Sequence, residues 1–265
     1  MGSEMCIRDR FEAEIRRRLW WQIIMLEGFS QKLAGTGTGT NASILMGDVK
    51  MPANLNDSDL FPGMKELPKE SDRATEMMFY LIRCHVGEFL KRFESPRTEF
   101  DGMWNKLTTN AIDTDTKENA IRDLERLFEE KFLRYCDPSI TWHLMCSHLA
   151  KAIIFMMRFM AYGASYQGKT ESQAERELLF TLSLRVCTSQ NLAYTMKEMQ
   201  GFMWHVNMHF QWKALSSYSQ NFAIALQARK SNKLGGMCSS PMIITLLLTK
   251  NFVGERCPLL SAIWR

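Results

Sequence analysis

His205 and His209 stand four positions apart, the spacing that sets two imidazoles on one helical face where a metalloprotease holds zinc. That chemistry needs a glutamate directly after the first histidine to activate metal-bound water, and Val206 occupies the place. Two half-buried histidines beside Trp204 and Trp212 are therefore expected rather than a metal centre. The acidic run Asn56-Asp57-Ser58-Asp59 has oxygens of the kind that chelate magnesium in class I terpene cyclases, but no second Asn/Ser/Glu cluster answers it. Gly35 to Thr40 alternates Gly and Thr without the Lys-Ser or Lys-Thr that a phosphate loop requires. Ser58, Ser139 and Ser147 lack a nucleophile elbow, and the cysteines at 6, 84, 136, 146, 187, 238 and 257 form no C-x-x-C pair. No catalytic residue, metal ligand or cofactor-binding residue emerges, so no enzyme is expected.

The elements that carry these residues are helical. Phe11 to Ala34 repeats Ile15, Leu19, Ile23 and Leu26 at helical spacing behind Arg16, Arg17 and Arg18, with Gly35 as a stop. Trp20 and Ile23 are expected to face inward. Three consecutive helical arginines span roughly 200° of the helix circumference, so at most two share a face, and ion pairing is the expected use. A long connector with Pro52, Pro62 and Pro68 follows. A second helix is expected from about Ser71 to Phe93 with Met78, Leu81, Ile82, His85 and Phe89 on one stripe. A third is expected from a capping box at Asp115 to Glu118, carrying Ile121, Leu124, Leu127 and Phe128 inward until Asp137 and Pro138. The fourth, Ser139 to Tyr162, is apolar nearly all round; the fifth opens at Thr170 with Gln173 in the capping position and runs towards Met199. No segment alternates with period two at strand length. The fold class is all-α, a multi-helix bundle with long irregular connectors.

Composition agrees with a globular chain: 265 residues, 46% of them hydrophobic and 23% charged. The net charge of +4, from 33 Lys and Arg against 29 Asp and Glu, is too small and too interspersed to announce a nucleic-acid face. The cysteine spacings suit reduced, mostly buried thiols in a nucleocytoplasmic protein. Ile140 to Met160 carries His143, His148, Lys151 and Arg158, and Met242 to Leu248 is far shorter than a span, so no membrane partner is expected. Met145, Met156, Met157 and Met160 make a soft interior.

The segment from Phe11 to Met64 resembles the fungal-specific transcription factor domain, the regulatory region that follows a six-cysteine binuclear zinc cluster in many fungal activators. Glu14, Arg16, Arg17, Arg18, Leu19, Trp20 and Trp21, then Pro52, Asn54, Asn56, Asp57, Asp59 and Leu60, fit that family's order. The resemblance continues at Cys136, Asp137 and Pro138, a turn opening a buried helix, and in the late aromatic segment with Trp204 and Trp212. It implies scaffold roles for these residues and an all-α regulatory domain over 11–215, in a nuclear protein controlling transcription by RNA polymerase II, with a secondary-metabolism pathway as the expected target. Zinc and sequence-specific DNA contact are expected only in a zinc module that this sequence does not contain. Transcriptional co-regulators, a small-molecule effector or a homodimer are the partners the family implies. A stand-alone ligand-binding or interaction domain of the same fold is the alternative, with a terpene-cyclase-like lyase behind it.

Residues 1–10 are expected to be a leader outside the fold, since Met5 to Arg10 looks like translated sequencing-adapter read-through. After Leu215 the family's Leu-x-Glu-Leu-x-x-Arg helix does not appear. A back-translation of Ser216 to Gly235 read in the frame displaced by two nucleotides restores such a segment. A single insertion or deletion near the Leu215 codon is therefore the expected origin of 216–265, which would leave Met242 to Leu248 without a designed seat.

Overall fold

An aspartate starts the first helix. In the computed structural model, which describes residues 9–34, 49–91, 105–108, 112–165, 172–209 and 214–218, Asp9 accepts from the backbone N–H of Phe11 at 2.9 Å and of Gly63 at 3.0 Å. Gly63 can offer its N–H there because it sits at φ +83°, a conformation that costs other residues strain. Arg10 N–H also donates to Met64 at 3.1 Å, so Asp9 and Arg10, read as leader residues, are built into the fold. All described regular structure is helical: α1 (Arg10–Ala34), α2 (Met78–Lys91), a single turn α3 (Asn105–Thr108), α4 (Thr114–Lys131), α5 (Thr141–Ser165), α6 (Gln173–Thr195) and α7 (Met203–Met208), with 3₁₀ turns at Asp57–Asp59, Leu133–Tyr135 and Lys197–Phe202. Two units divide the chain, Met1–Gly168 and Lys169–Arg265.

In the first unit, α2, α4 and α5 build one core. The expected stripe of α2 holds: Met78, Leu81, Ile82, His85 and Phe89 are all buried. They meet Ile121, Leu124 and Phe128 of α4 and Cys146, Leu149, Ala150, Ile154 and Met157 of α5, with Leu107 of α3 in the same cluster. The fourth expected helix is thus less enclosed than its composition suggests: the stripe from Met145 to Ala161 is buried, and much of the other face is half-exposed. By length and composition alone Thr141–Gly163 is apolar enough to cross a membrane. Its inner stripe is core, and Arg158 forms ion pairs with Glu118 and Glu125 of α4 at 3.1 and 2.6 Å, so that stripe and this arginine are committed to packing within the unit.

Several expected boundaries move, each for a local reason. α2 begins at Met78 rather than near Ser71, because the Asn54 amide donates to the carbonyls of Ser71 and Arg73 at 2.6 and 3.2 Å and holds that segment out of helical geometry. α4 is capped by Asp113, not Asp115: its carboxylate accepts from Thr116 N–H at 2.8 Å. α4 stops at Lys131, well before Pro138, where Phe132 leaves helical geometry and a 3₁₀ turn follows. α6 opens two residues later than read, with Ser172 and Glu175 forming the reciprocal cap, and Met196, extended at ψ 124°, ends it before Met199.

In the second unit, α6 buries Leu179, Leu182, Val186, Cys187 and Ala193, and Phe180 stacks on Tyr218 with ring centroids 5.4 Å apart. Residues 219–265, and with them Met242 to Leu248, lie outside the described residues, as do Trp212 and the Gly-Thr run from Gly35 to Thr40.

The inward face of α1 is the largest correction. Trp20 and Ile23 were expected inside, yet they are 39% and 49% exposed, while Trp21 and Ile24 are buried against Cys84 of α2. Ile15, Leu19 and Leu26 face outward with Ile23, because the other side of the helix is claimed by Glu14, Arg17 and Arg18. Trp21→Ala is expected to cost roughly 3–5 kcal/mol through the cavity it leaves, whereas Leu19→Ala is expected to stay within about 0.5 kcal/mol. Urea unfolding of the two variants beside the parent checks this.

Candidate functional site

The residues of the recurring motif converge on one carboxylate. Glu14 is fully buried. Its Oε1 accepts from the Ala53 backbone N–H at 2.9 Å and from Arg18 Nε at 3.3 Å, and its Oε2 accepts from Arg17 Nη1. Arg18 then reaches across to the connector, Nη1 to the Asp57 carboxylate at 2.7 Å and Nη2 to the Leu55 carbonyl at 3.1 Å. Trp21 Nε1 donates to the Lys50 carbonyl at 3.0 Å, and the Tyr80 hydroxyl donates to the Arg18 carbonyl. A carboxylate removed from water is tolerable only when its lone pairs meet donors, and here both arginines and one amide supply them. Arg16 stands apart, paired with Glu12 on the exposed side at 2.5 Å. The three arginines thus serve ion pairing, two of them on one carboxylate.

The Pro-x-Asn-x-Asn-Asp stretch continues the network. Pro52, Ala53, Asn54 and Leu55 are buried, and the Asn54 side chain, besides its two carbonyl contacts, accepts from the Thr75 hydroxyl at 2.5 Å. Asn56 accepts from Glu76 N–H at 3.1 Å, Asp59 accepts from Asn56 N–H at 2.9 Å, and Asp57 N–H donates to Glu76 at 3.0 Å. Leu60 is half-buried beside this turn. The acidic run is therefore a fold-back clasp between connector and α2, with its oxygens engaged by protein donors. Ser71, Thr75, Glu76 and Tyr80 complete it, and sequence reading missed all four. Ser71, Thr75 and Glu76 were signalled by position alone, just ahead of a strong helical stripe, and Tyr80 lies within that helix.

Cys136, Asp137 and Pro138 lie at the entrance to α5, separate from this hub. The Asp137 carboxylate accepts from the N–H and hydroxyl of Ser139 at 2.8 and 2.7 Å, which holds its pKa below the usual carboxylate range. Asp137 N–H donates to His143 Nδ1 at 3.0 Å. Cys136 is half-buried; burial raises its thiol above the ordinary range, as it does those of Cys84, Cys146 and, to about 12, Cys187. Cys84, Cys146 and Cys187 are free and buried.

In the second unit Trp204 is exposed, with its ring edge towards His205 at 5.5 Å. His205 is buried and its ring lies 4.5 Å from that of His209. Among the described residues no group of three or more His, Cys, Asp or Glu side chains is placed to hold a metal ion. A cavity of about 350 Å³ lies between α2 and α4, lined by Met51, His85, Phe89 and Leu124, with Glu88 and Lys131 at its polar side.

Comparison with known proteins points the same way. Over 203 residues, 76% of this chain, it is 30% identical to the aurofusarin cluster transcription factor of Gibberella zeae, of which it covers 29%. It is 27% identical over 77% of its length to the transcriptional regulator AacuB of Aspergillus aculeatus, again covering 27% of that protein. Over 136 residues it is 32% identical to the pyriculol/pyriculariol biosynthesis cluster transcription factor 1 of Pyricularia oryzae, 49% of this chain and 18% of that one. The chain therefore spans less than a third of the length of the relatives it matches. No protein-family model matches it, and no solved structure matches it significantly.

Glu14→Ala, which strands Arg17 and Arg18 and removes the acceptor of Ala53, is expected to destabilise by roughly 3–5 kcal/mol. Arg16→Ala, losing only an exposed pair, is expected to cost under about 0.5 kcal/mol. Equilibrium urea unfolding of both variants measures the contrast, and equal costs would remove Glu14 from the centre of the network.

Proposed function

We infer, on the premise that this chain belongs with the fungal zinc-cluster transcription factors, that it is part of the regulatory region of such a factor and acts in the nucleus on transcription by RNA polymerase II. The observation that carries this reading is the shared length: three quarters of the chain aligns with transcription factors, and the motif residues Glu14, Arg17, Arg18 and Asp57 tie α1 to the connector. The relatives named for aurofusarin and pyriculol clusters favour a secondary-metabolism gene cluster as the regulated set. Its cysteines include no six-cysteine motif, so base-specific DNA contact and zinc belong to another part of the parent protein.

Two measurements test the assignment. In a mobility-shift assay the chain is expected to bind DNA weakly and without sequence preference, because its basic residues are interspersed with nearly as many acidic ones. Tethered to a heterologous DNA-binding domain in a fungal reporter strain, it is expected to change transcription, and Glu14→Ala to abolish that change. A preferred CGG-containing site, or magnesium-dependent turnover of a prenyl diphosphate, would overturn the reading.

We further propose that the regulatory domain occupies 11–215 and that 216–265 arose by a frame displacement near the Leu215 codon. Resequencing the locus is expected to reveal an inserted or deleted nucleotide there; a clean read that preserves Ser216 to Phe222 would end the idea.

A further inference from the structure

Three sulfurs gather where α2 meets the entrance of α5. Met78 comes from the first turn of α2, Cys136 from the turn before α5 and Cys146 from the second turn of α5. The Cys136 Sγ lies 3.6 Å from the Met78 Sδ and 3.5 Å from the Phe132 carbonyl. Met78 and Cys146 are fully buried in one core, and half-buried Cys136 packs against it. Cys136 also hydrogen-bonds the side chain of Ser147, the residue after Cys146. A charge on Cys136 raises the Cys146 thiol, so the two cysteines lie within electrostatic reach through the core.

We propose that Cys136, Cys146 and Met78 form a three-coordinate site for one Cu(I) ion. Thiolates and a thioether are soft donors, and softness selects Cu(I) over the hard cations. Structural zinc takes four ligands, and among the described residues no His, Asp or Glu joins these two cysteines as a third ligand. A metal–thiolate bond of about 2.3 Å sets two sulfurs of a trigonal ion roughly 4 Å apart, close to the separation of Cys136 and Met78. Binding exchanges protons for metal: each thiol gives up its S–H proton to solvent and forms a Cu–S bond, Met78 Sδ donates a lone pair, and no electron is transferred. Lys151 favours the Cys136 thiolate and Glu129 opposes it, so the charge of the ion itself decides the ionisation of the pair. Cys136, the one partly exposed donor, gives the ion its entry. Once bound, it ties the start of α2 to the start of α5.

Anaerobic titration of the full, reduced chain with Cu(I), in competition with the chromophoric chelator bicinchoninate, tests this. One equivalent per chain is expected to be withheld from the chelator, and Ag(I), a redox-inert ion of similar softness, is expected to displace it. Cys136→Ser is expected to weaken retention by about 100-fold and Met78→Leu by about tenfold, the span that even outer-shell changes cover in metal sites. Met78→Leu conserves core volume and Cys136 is half-buried, so both variants are expected to keep their helix content by circular dichroism. Cys187→Ala, which removes a thiol of the second unit, is expected to leave retention unchanged. X-ray absorption at the copper edge is expected to show three sulfur neighbours. A chain that surrenders all its copper to bicinchoninate overturns the proposal. So does retention that either Cys136→Ser or Met78→Leu leaves intact, which would mark adventitious binding by other thiols. The assignment of the chain to a regulatory region stands or falls separately, on the reporter measurement.

Discussion

A carboxylate sealed from water near the start of a helix dictates the architecture of the first unit. Glu14 is fully buried, and an ion in that position must be surrounded by donors or the helix cannot be docked at all. Its own helix gives two, Arg17 and Arg18; the third is the backbone of Ala53, so the connector has to return along α1. Once it has returned, the other contacts become available in order. Arg18 holds Leu55 and Asp57, Trp21 holds Lys50, and Asn54 gathers Ser71, Arg73 and Thr75, which fixes where α2 starts. The described part of the connector, 49–77, is thus held by polar bonds to helices on both sides, while the apolar core forms between α2, α4 and α5.

The charged motif and the hydrophobic core divide the work. The core residues would tolerate exchange among aliphatic side chains of similar volume, since burial is non-directional. The hub has no such latitude, because each bond in it needs a particular donor or acceptor at a particular height on α1. Arg18 illustrates this: its Nε faces Glu14 while its two terminal nitrogens face separate points on the connector. A lysine has a single ammonium and could not replace that planar fork.

Much of this was legible in the sequence, and the failures have physical causes. The stripe from Met78 to Phe89 is buried as its spacing indicates, and of the inward set on α4 Ile121, Leu124 and Phe128 are buried while Leu127 is half-buried against the same core. On α1 the same inference fails. Periodicity establishes that Ile15, Leu19, Ile23 and Leu26 share a side, but a buried ion network on the opposite side outranks them in deciding which way the helix turns. The adjacent tryptophans divide accordingly, Trp21 inward with its indole N–H bonded and Trp20 outward. Caps slipped by two residues at Asp113 and Ser172 because Asp-Thr-Asp-Thr and Thr-Glu-Ser-Gln each offer overlapping capping choices, which only the helix's docked position resolves. Thr75 and Tyr80 were missed because the bonds that tie them to Asn54 and Arg18 span 21 and 62 residues of chain.

Arg158 reaches two carboxylates on α4, Glu118 and Glu125, that are two helical turns apart. An apolar seam between two helices tolerates small axial sliding, because one methyl contact is readily exchanged for another. A guanidinium spanning two fixed anions does not, and a displacement of one turn would forfeit both bonds together. It works as a vernier between α4 and α5, so the two helices move as a single block. Any change of shape within this unit is thereby displaced to the joint where α1 and the connector meet α2, where Trp21 and Ile24 rest on Cys84.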